Sequence, residues 1–136
     1  MKALYPPLSY TIFIVISIAA LSVILVVVNI FSENIQRNYA YGQLNYVAEV
    51  IRQDILRLYS TNAEGRFKLA IPNDIIGKQY LIELNQKNLK LSLEFKEKRI
   101  EVEHLVNVTA SLSGNSYAPV SIEMNKTNGE ISIRLV

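Results

Sequence analysis

No cysteine and no tryptophan occur in this sequence, and histidine occurs once, at His104. The lack of cysteine excludes a disulfide framework, thiolate metal sites and thiol chemistry. It does not fix a compartment, because disulfides are common outside the cell without being required there. Glycine is scattered: Gly65, Gly77, Gly114 and Gly129 each stand alone and read as turn residues, and no glycine-rich phosphate loop is present. Basic and acidic residues nearly cancel. Of 14 Lys and Arg one is Lys2, which leaves 13 against 12 Asp and Glu beyond residue 32. That balance implies no basic face of the kind that holds nucleic acid.

The absence with the largest consequence is charge itself. Between Lys2 and Glu33 there is no charged side chain, and Leu8 to Phe31 reads LSYTIFIVISIAALSVILVVVNIF. An α-helix needs roughly 20 apolar residues to cross a hydrocarbon core of ~30 Å. The run therefore predicts a membrane-spanning helix, with about a hundred residues left for one domain outside the bilayer. An ordinary cleaved secretory signal fits poorly. Its apolar core spans about 7–15 residues before a small-x-small cut, whereas here the run passes straight through Ser17-Ile18-Ala19. Lys2 against Arg37 and Arg52 gives only a slight positive-inside bias. The short N-terminal tail and the folded remainder favour N-terminus inside, C-terminus outside.

Pro6-Pro7 precedes the run, at a place where a first helical turn tolerates proline. From Ser32 to Tyr59 there is no proline and one glycine, Gly42, and Leu44, Val47, Ile51, Ile55 and Leu58 recur at helical intervals. Ser32 and Glu33 either begin a second helix or continue the first. A single helix from Leu8 to Tyr59 is about 75–80 Å long. Its first half is apolar all round and its second half amphipathic, so the stripe from Leu44 to Leu58 is expected to dock against the chain's own C-terminal domain.

After Ser60 the period changes from helical to two. Phe67, Leu69 and Ile71 alternate with Lys68 and Ala70, and so do the apolar residues of Tyr80–Leu84, Leu89–Phe95, Val120–Met124 and Ile131–Leu135. Ile100 to about Leu112 reads as one long strand or two short ones, Gly114-Asn115 as a turn, and Asn128-Gly129 carries the hairpin signal. The expectation is an α+β chain: a long N-terminal hydrophobic helix, then six or so short strands forming an antiparallel sheet or β-sandwich.

Catalytic chemistry is hard to assemble. His104 follows Glu101 and Glu103, a trio that a sheet can bring together across strands, but a lone histidine among carboxylates on a solvated strand is far more often plain surface. Asp54 and Asp74 have no partner spacing, and nucleophile, base and oxyanion donors cannot be combined. The reading is no enzyme, no cofactor and no metal. Two sequons, Asn107-Val108-Thr109 and Asn125-Lys126-Thr127, mark candidate N-glycosylation at Asn107, within an expected strand, and at Asn125, beside an expected turn. Tyr39, Tyr41 and Tyr46 suit an interfacial belt, a contact between subunits, or the helix–sheet contact. Ser17, Ala19, Ala20 and Ser22 give the apolar run a small-residue face that lets helices approach closely, and Asn29 adds one amide near its end.

Lys2-Ala3 followed by Leu4-Tyr5-Pro6, then the apolar helix and the β-rich remainder, resembles an archaeal type IV pilin-like protein of the pilin/archaellin superfamily with a class III signal peptide. The bacterial branch carries a glutamate at the fifth mature position, where this chain has Leu8. The resemblance implies cleavage between Ala3 and Leu4 by a prepilin peptidase, leaving the helix in the mature protein. It divides the chain into a leader (1–3), a transmembrane and filament-core helix (4–31), an amphipathic extension (32–60) and an extracytoplasmic β domain (61–136). It also implies a helical polymer built on Ile12, Ile16, Ala19, Ala20, Val23 and Val27, with Leu44, Val47, Ile51, Ile55 and Leu58 holding the β domain. The expected partners are the membrane before assembly, copies of the chain itself, and the pilus assembly machinery, with no nucleic acid. The expected function is a surface filament for adhesion or motility. The alternative is a single-pass membrane-anchored accessory or minor pilin-like protein that does not form the main filament.

Overall fold

The computed structural model describes residues 5–136, with Tyr5 and Pro6 described in their backbone alone. One helix, α1 (Tyr5–Thr61), runs without interruption through Ser32 and Glu33. Pro6 and Pro7 occupy its first turn, where the missing N–H groups have no intrahelical partner to lose. Its end is made by side chains and by one left-handed residue. The hydroxyls of Ser60 and Thr61 donate to Arg57 O at 2.8 and 2.9 Å. Asn62 takes φ +51° and donates its N–H to Tyr59 O at 3.3 Å. Asparagine is the residue that most often replaces glycine at such a stop.

The chain divides into two compact units at Gln36/Arg37. The first holds the uncharged part of α1, a helix long and apolar enough to cross a membrane. The second holds the rest of α1 and a seven-stranded mixed sheet, so the fold is α+β. Its strands are β1 (Gly65–Lys68), β2 (Tyr80–Asn85), β3 (Asn88–Phe95), β4 (Lys98–Leu105), β5 (Ser111–Tyr117), β6 (Ser121–Thr127) and β7 (Glu130–Leu135). Their order is β1-β6-β7-β5-β2-β3-β4.

The tight hairpins follow from the turn residues. Asn128-Gly129, at φ +53° and +86°, joins β6 to β7 as the Asn-Gly signal predicts. Lys96-Glu97 makes the same kind of turn between β3 and β4 with two non-glycine residues at φ +46° and +63°. Two features depart from the expected pattern. β7 enters between β6 and β5, so β5 and β7 run parallel while the other pairings are antiparallel. Alternation within a strand records which face is buried, not which strand lies alongside. Gly114-Asn115 is no turn but the middle of β5, opposite Leu84 and Glu83 of β2. Gly114 stands there because β7 lies against it: a Cβ at this position would meet the Leu135 backbone nitrogen at 2.7 Å.

Period two sorts the sheet into faces. Tyr80, Ile82, Leu89, Leu91, Ile122 and Ile133 turn inward and are buried. The tail of α1 closes this core with Ala40, Leu44, Val47, Ala48, Ile51 and Ile55, all without solvent exposure. Full burial of one Leu or Ile contributes about 1.5–3 kcal/mol, so this stripe is a principal stabiliser of the second unit.

Candidate functional site

Two stretches of α1 carry the candidate functional residues. In the first, every large apolar side chain from Leu8 to Phe31 is exposed, from 42% at Ile14 to 69% at Tyr10. Ile12, Ile16, Ala19, Ala20, Val23 and Val27 fall on one face of the helix, at i, i+4, i+7, i+8, i+11 and i+15, and all are exposed. Three hydroxyls in the run bond back to the helix itself. Thr11 Oγ1 donates to Pro7 O at 2.9 Å, Ser17 Oγ to Phe13 O at 2.8 Å, and Ser22 Oγ to Ile18 O at 2.9 Å. These three hydroxyls are thus satisfied one turn back on the same helix, as an apolar surrounding demands. The surface is apolar on all sides and calls for a cover of lipid or of other helices. The cut site expected between Ala3 and Leu4 lies outside the described residues.

The second stretch is the docked stripe. Leu44, Val47, Ile51 and Ile55 are fully buried, and Leu58 is half-buried against the same core. Ala40 and Ala48 belong to the stripe as well. Sequence reasoning passed over them because alanine is a weak apolar signal, although each lies four residues from Leu44.

Beside the stripe, His104 of β4 binds α1. Its Nε2 lies 2.8 Å from Asn45 Oδ1, and its Nδ1 lies 3.7 Å from Glu49 Oε2. Glu49 accepts from Arg52 Nε at 2.9 Å and Nη2 at 2.6 Å, and from Gln53 Nε2 at 3.1 Å. The Arg52 hydrogen bonds first, and then that of Gln53, hold the Glu49 carboxyl down at about 2. Glu49 lies well past Phe31, outside the uncharged run. A trio of His104 with Glu101 and Glu103 does not form. Glu101 and Glu103 occupy the opposite face of β4, as period two requires of residues separated from His104 by odd steps. Glu101 instead pairs with Arg99 Nε at 2.8 Å and Lys90 Nζ at 3.1 Å on the outer face. Among the described residues no group of three His, Asp or Glu is placed to hold a metal ion. A depression between the β2–β3 turn and the start of β5 is lined by Glu83, Lys90 and Glu103 together with side chains such as Asn85, Lys87, Asn88 and Ser113.

A family model matches residues 2–136 of this chain. The chain belongs to DUF7266, a family of unknown function. No curated protein and no solved structure matches it.

Two other groups of candidate residues in this DUF7266 member remain to be placed. Tyr39, Tyr41 and Tyr46 are 58%, 53% and 65% exposed, so they take no part in the helix–sheet contact. Of the two sequons, that of Asn107 departs from its expected strand, and Asn125 stands near the end of β6, before the Asn128-Gly129 turn. Asn107 is exposed on the irregular segment between β4 and β5, whereas Asn125 is exposed on β6, opposite Ser132 of β7. The alternation around Asn107 suggested a strand because Val106 and Val108 are both buried, but β4 stops at Leu105.

Proposed function

We propose that this protein is a structural, pilin-like subunit of an archaeal surface filament, held in the membrane by its N-terminal helix before assembly. The observation that carries this reading is the uncharged run, exposed on every side from Leu8 to Phe31 and followed on the same helix by a stripe buried in a β-rich unit. A helix apolar all round is stable in lipid, and outside lipid only among other apolar helices. Packing between copies through Ile12, Ile16, Ala19, Ala20, Val23 and Val27 is a heterologous contact, which grows a fibre when its rotation does not close. Ala19 and Ala20 allow close approach of two such helices. The docked unit then lies on the outside, where an adhesive or motility role resides. Cleavage after Ala3 by a prepilin peptidase belongs to the same reading, because it spares the whole apolar run.

Mass spectrometry of the native protein and shearing of cells test the proposal together. The expected result is an N-terminus at Leu4 and recovery in the sheared surface fraction. An intact Met1 on a protein confined to membranes overturns it, and identifies a single-pass anchored accessory instead.

A further inference from the structure

The sheet has two open ends, β1 and β4. β1 pairs with β6 alone and β4 with β3 alone, so each presents a row of unpaired backbone N–H and C=O groups. Open edges are hazards that proteins blunt with charge, and both edges here are charged. The signs differ. On the outer face β1 carries Arg66 and Lys68, two cations two residues apart, and β4 carries, after Arg99 at its start, Glu101 and Glu103, two anions at the same spacing, of which Glu101 is already paired with Arg99 and Lys90. Arg66, Lys68 and Glu103 form no ion pair among the described residues. Between each charged pair sits an apolar residue on the core face: Phe67, opposite Ile122, and Val102, opposite Leu91.

We propose that β4 of one copy pairs with β1 of a second copy, joining the two sheets edge to edge. The strand directions fix the sense of the join. Following the pairings across the sheet, β1 and β4 run in opposite directions. A second copy in the same orientation therefore offers an antiparallel partner. The antiparallel register that matches charge sets Arg66 against Glu103, Phe67 against Val102 and Lys68 against Glu101. It keeps apolar residues on the core face and opposite charges on the outer face, side by side at the ~5 Å spacing of directly opposed residues. The contact is heterologous, uses both edges of every copy, and leaves a free β1 at one end and a free β4 at the other, so it propagates. It is separate from packing through the N-terminal helix, and the two contacts can be tested apart.

The cysteine-free sequence makes the test clean. Arg66→Cys and Glu103→Cys, both exposed, are introduced singly and together into the full-length chain, which is oxidised in detergent micelles and in surface fractions. The double variant is expected to give a ladder of dimers, trimers and higher species under non-reducing conditions. A mixture of the two single variants is expected to stop at dimers, and each single variant alone to stay monomeric. No cross-linked band from the double variant or the mixture overturns the inference. So does a dimer of Arg66→Cys with itself, which marks a twofold contact between β1 edges. Filaments in micrographs without a ladder overturn the edge contact while leaving the helix-built filament standing. A ladder from a chain that never forms filaments supports the edge contact and removes the filament.

Discussion

Alanine in place of glycine should have opposite effects at two positions of this chain. At Gly114 the backbone has φ +135°, a region that side-chain-bearing residues avoid. Holding a residue there costs about 1–3 kcal/mol. The new Cβ would also lie 2.6 Å from Leu135 Cβ, 2.7 Å from Leu135 N and 3.0 Å from Leu135 Cα. Two of those atoms are main chain, in a strand held on its other side by the Ile122–Leu135 pairing, so they cannot swing aside as the tip of a side chain would. Overpacking of this kind costs about 1–3 kcal/mol more. The expected loss is about 4 kcal/mol, a large part of the ~5–15 kcal/mol that holds a domain together. For a unit of about a hundred residues it lowers the melting temperature by roughly 15–30 °C. At Gly42, inside α1, a Cβ meets nothing within 4 Å. Gly42→Ala should stabilise the chain by about 1 kcal/mol through helix propensity. Near-UV circular dichroism of the tyrosines, which no tryptophan overlays, follows both variants during thermal unfolding of the full chain in micelles. A Gly114→Ala protein melting within a few degrees of the parent would refute the claimed approach of β5 to β7.

Two further outcomes follow from the core. Ile51→Ala removes a fully buried side chain where helix meets sheet and should cost about 2–5 kcal/mol. An unchanged denaturant midpoint would show that the stripe does not hold the second unit together. Burial first, and the nearby Asp74 second, push the Tyr80 phenol up to about 12, and its O–H donates to Pro72 O at 2.5 Å. The raised value means that the folded state keeps the proton and the unfolded chain releases it near pH 10. The contribution is whole below about pH 10 and is lost as pH climbs to about 12. Tyr80→Phe should flatten that step in an alkaline titration of stability, and a step of unchanged size would assign it to another group.

Much of the architecture was legible in residue order. An uncharged run of this length reads as a helix long and apolar enough to cross a membrane, whatever follows it. The change from helical to twofold period at Ser60 marks where helix yields to sheet, and the stripe from Leu44 to Leu58 announces its own burial because only one face repeats. Asn128-Gly129 set its hairpin because two adjacent residues at positive φ are a local matter. These features depend on residues within a few positions of one another, and the sequence by itself determined them.

Tertiary structure decided what depends on distant neighbours. Only the sheet order shows that β7 separates β5 from β6, and hence that Gly114 is a point of close approach rather than a turn. Only the pairing of faces sends Glu101 and Glu103 away from His104 and brings Asn45 and Glu49 to it across more than fifty residues of chain. The edges of the sheet were invisible for the same reason. Period two tells a strand which side to bury, but the identity of its neighbour is fixed by backbone hydrogen bonds that any residue but proline can make.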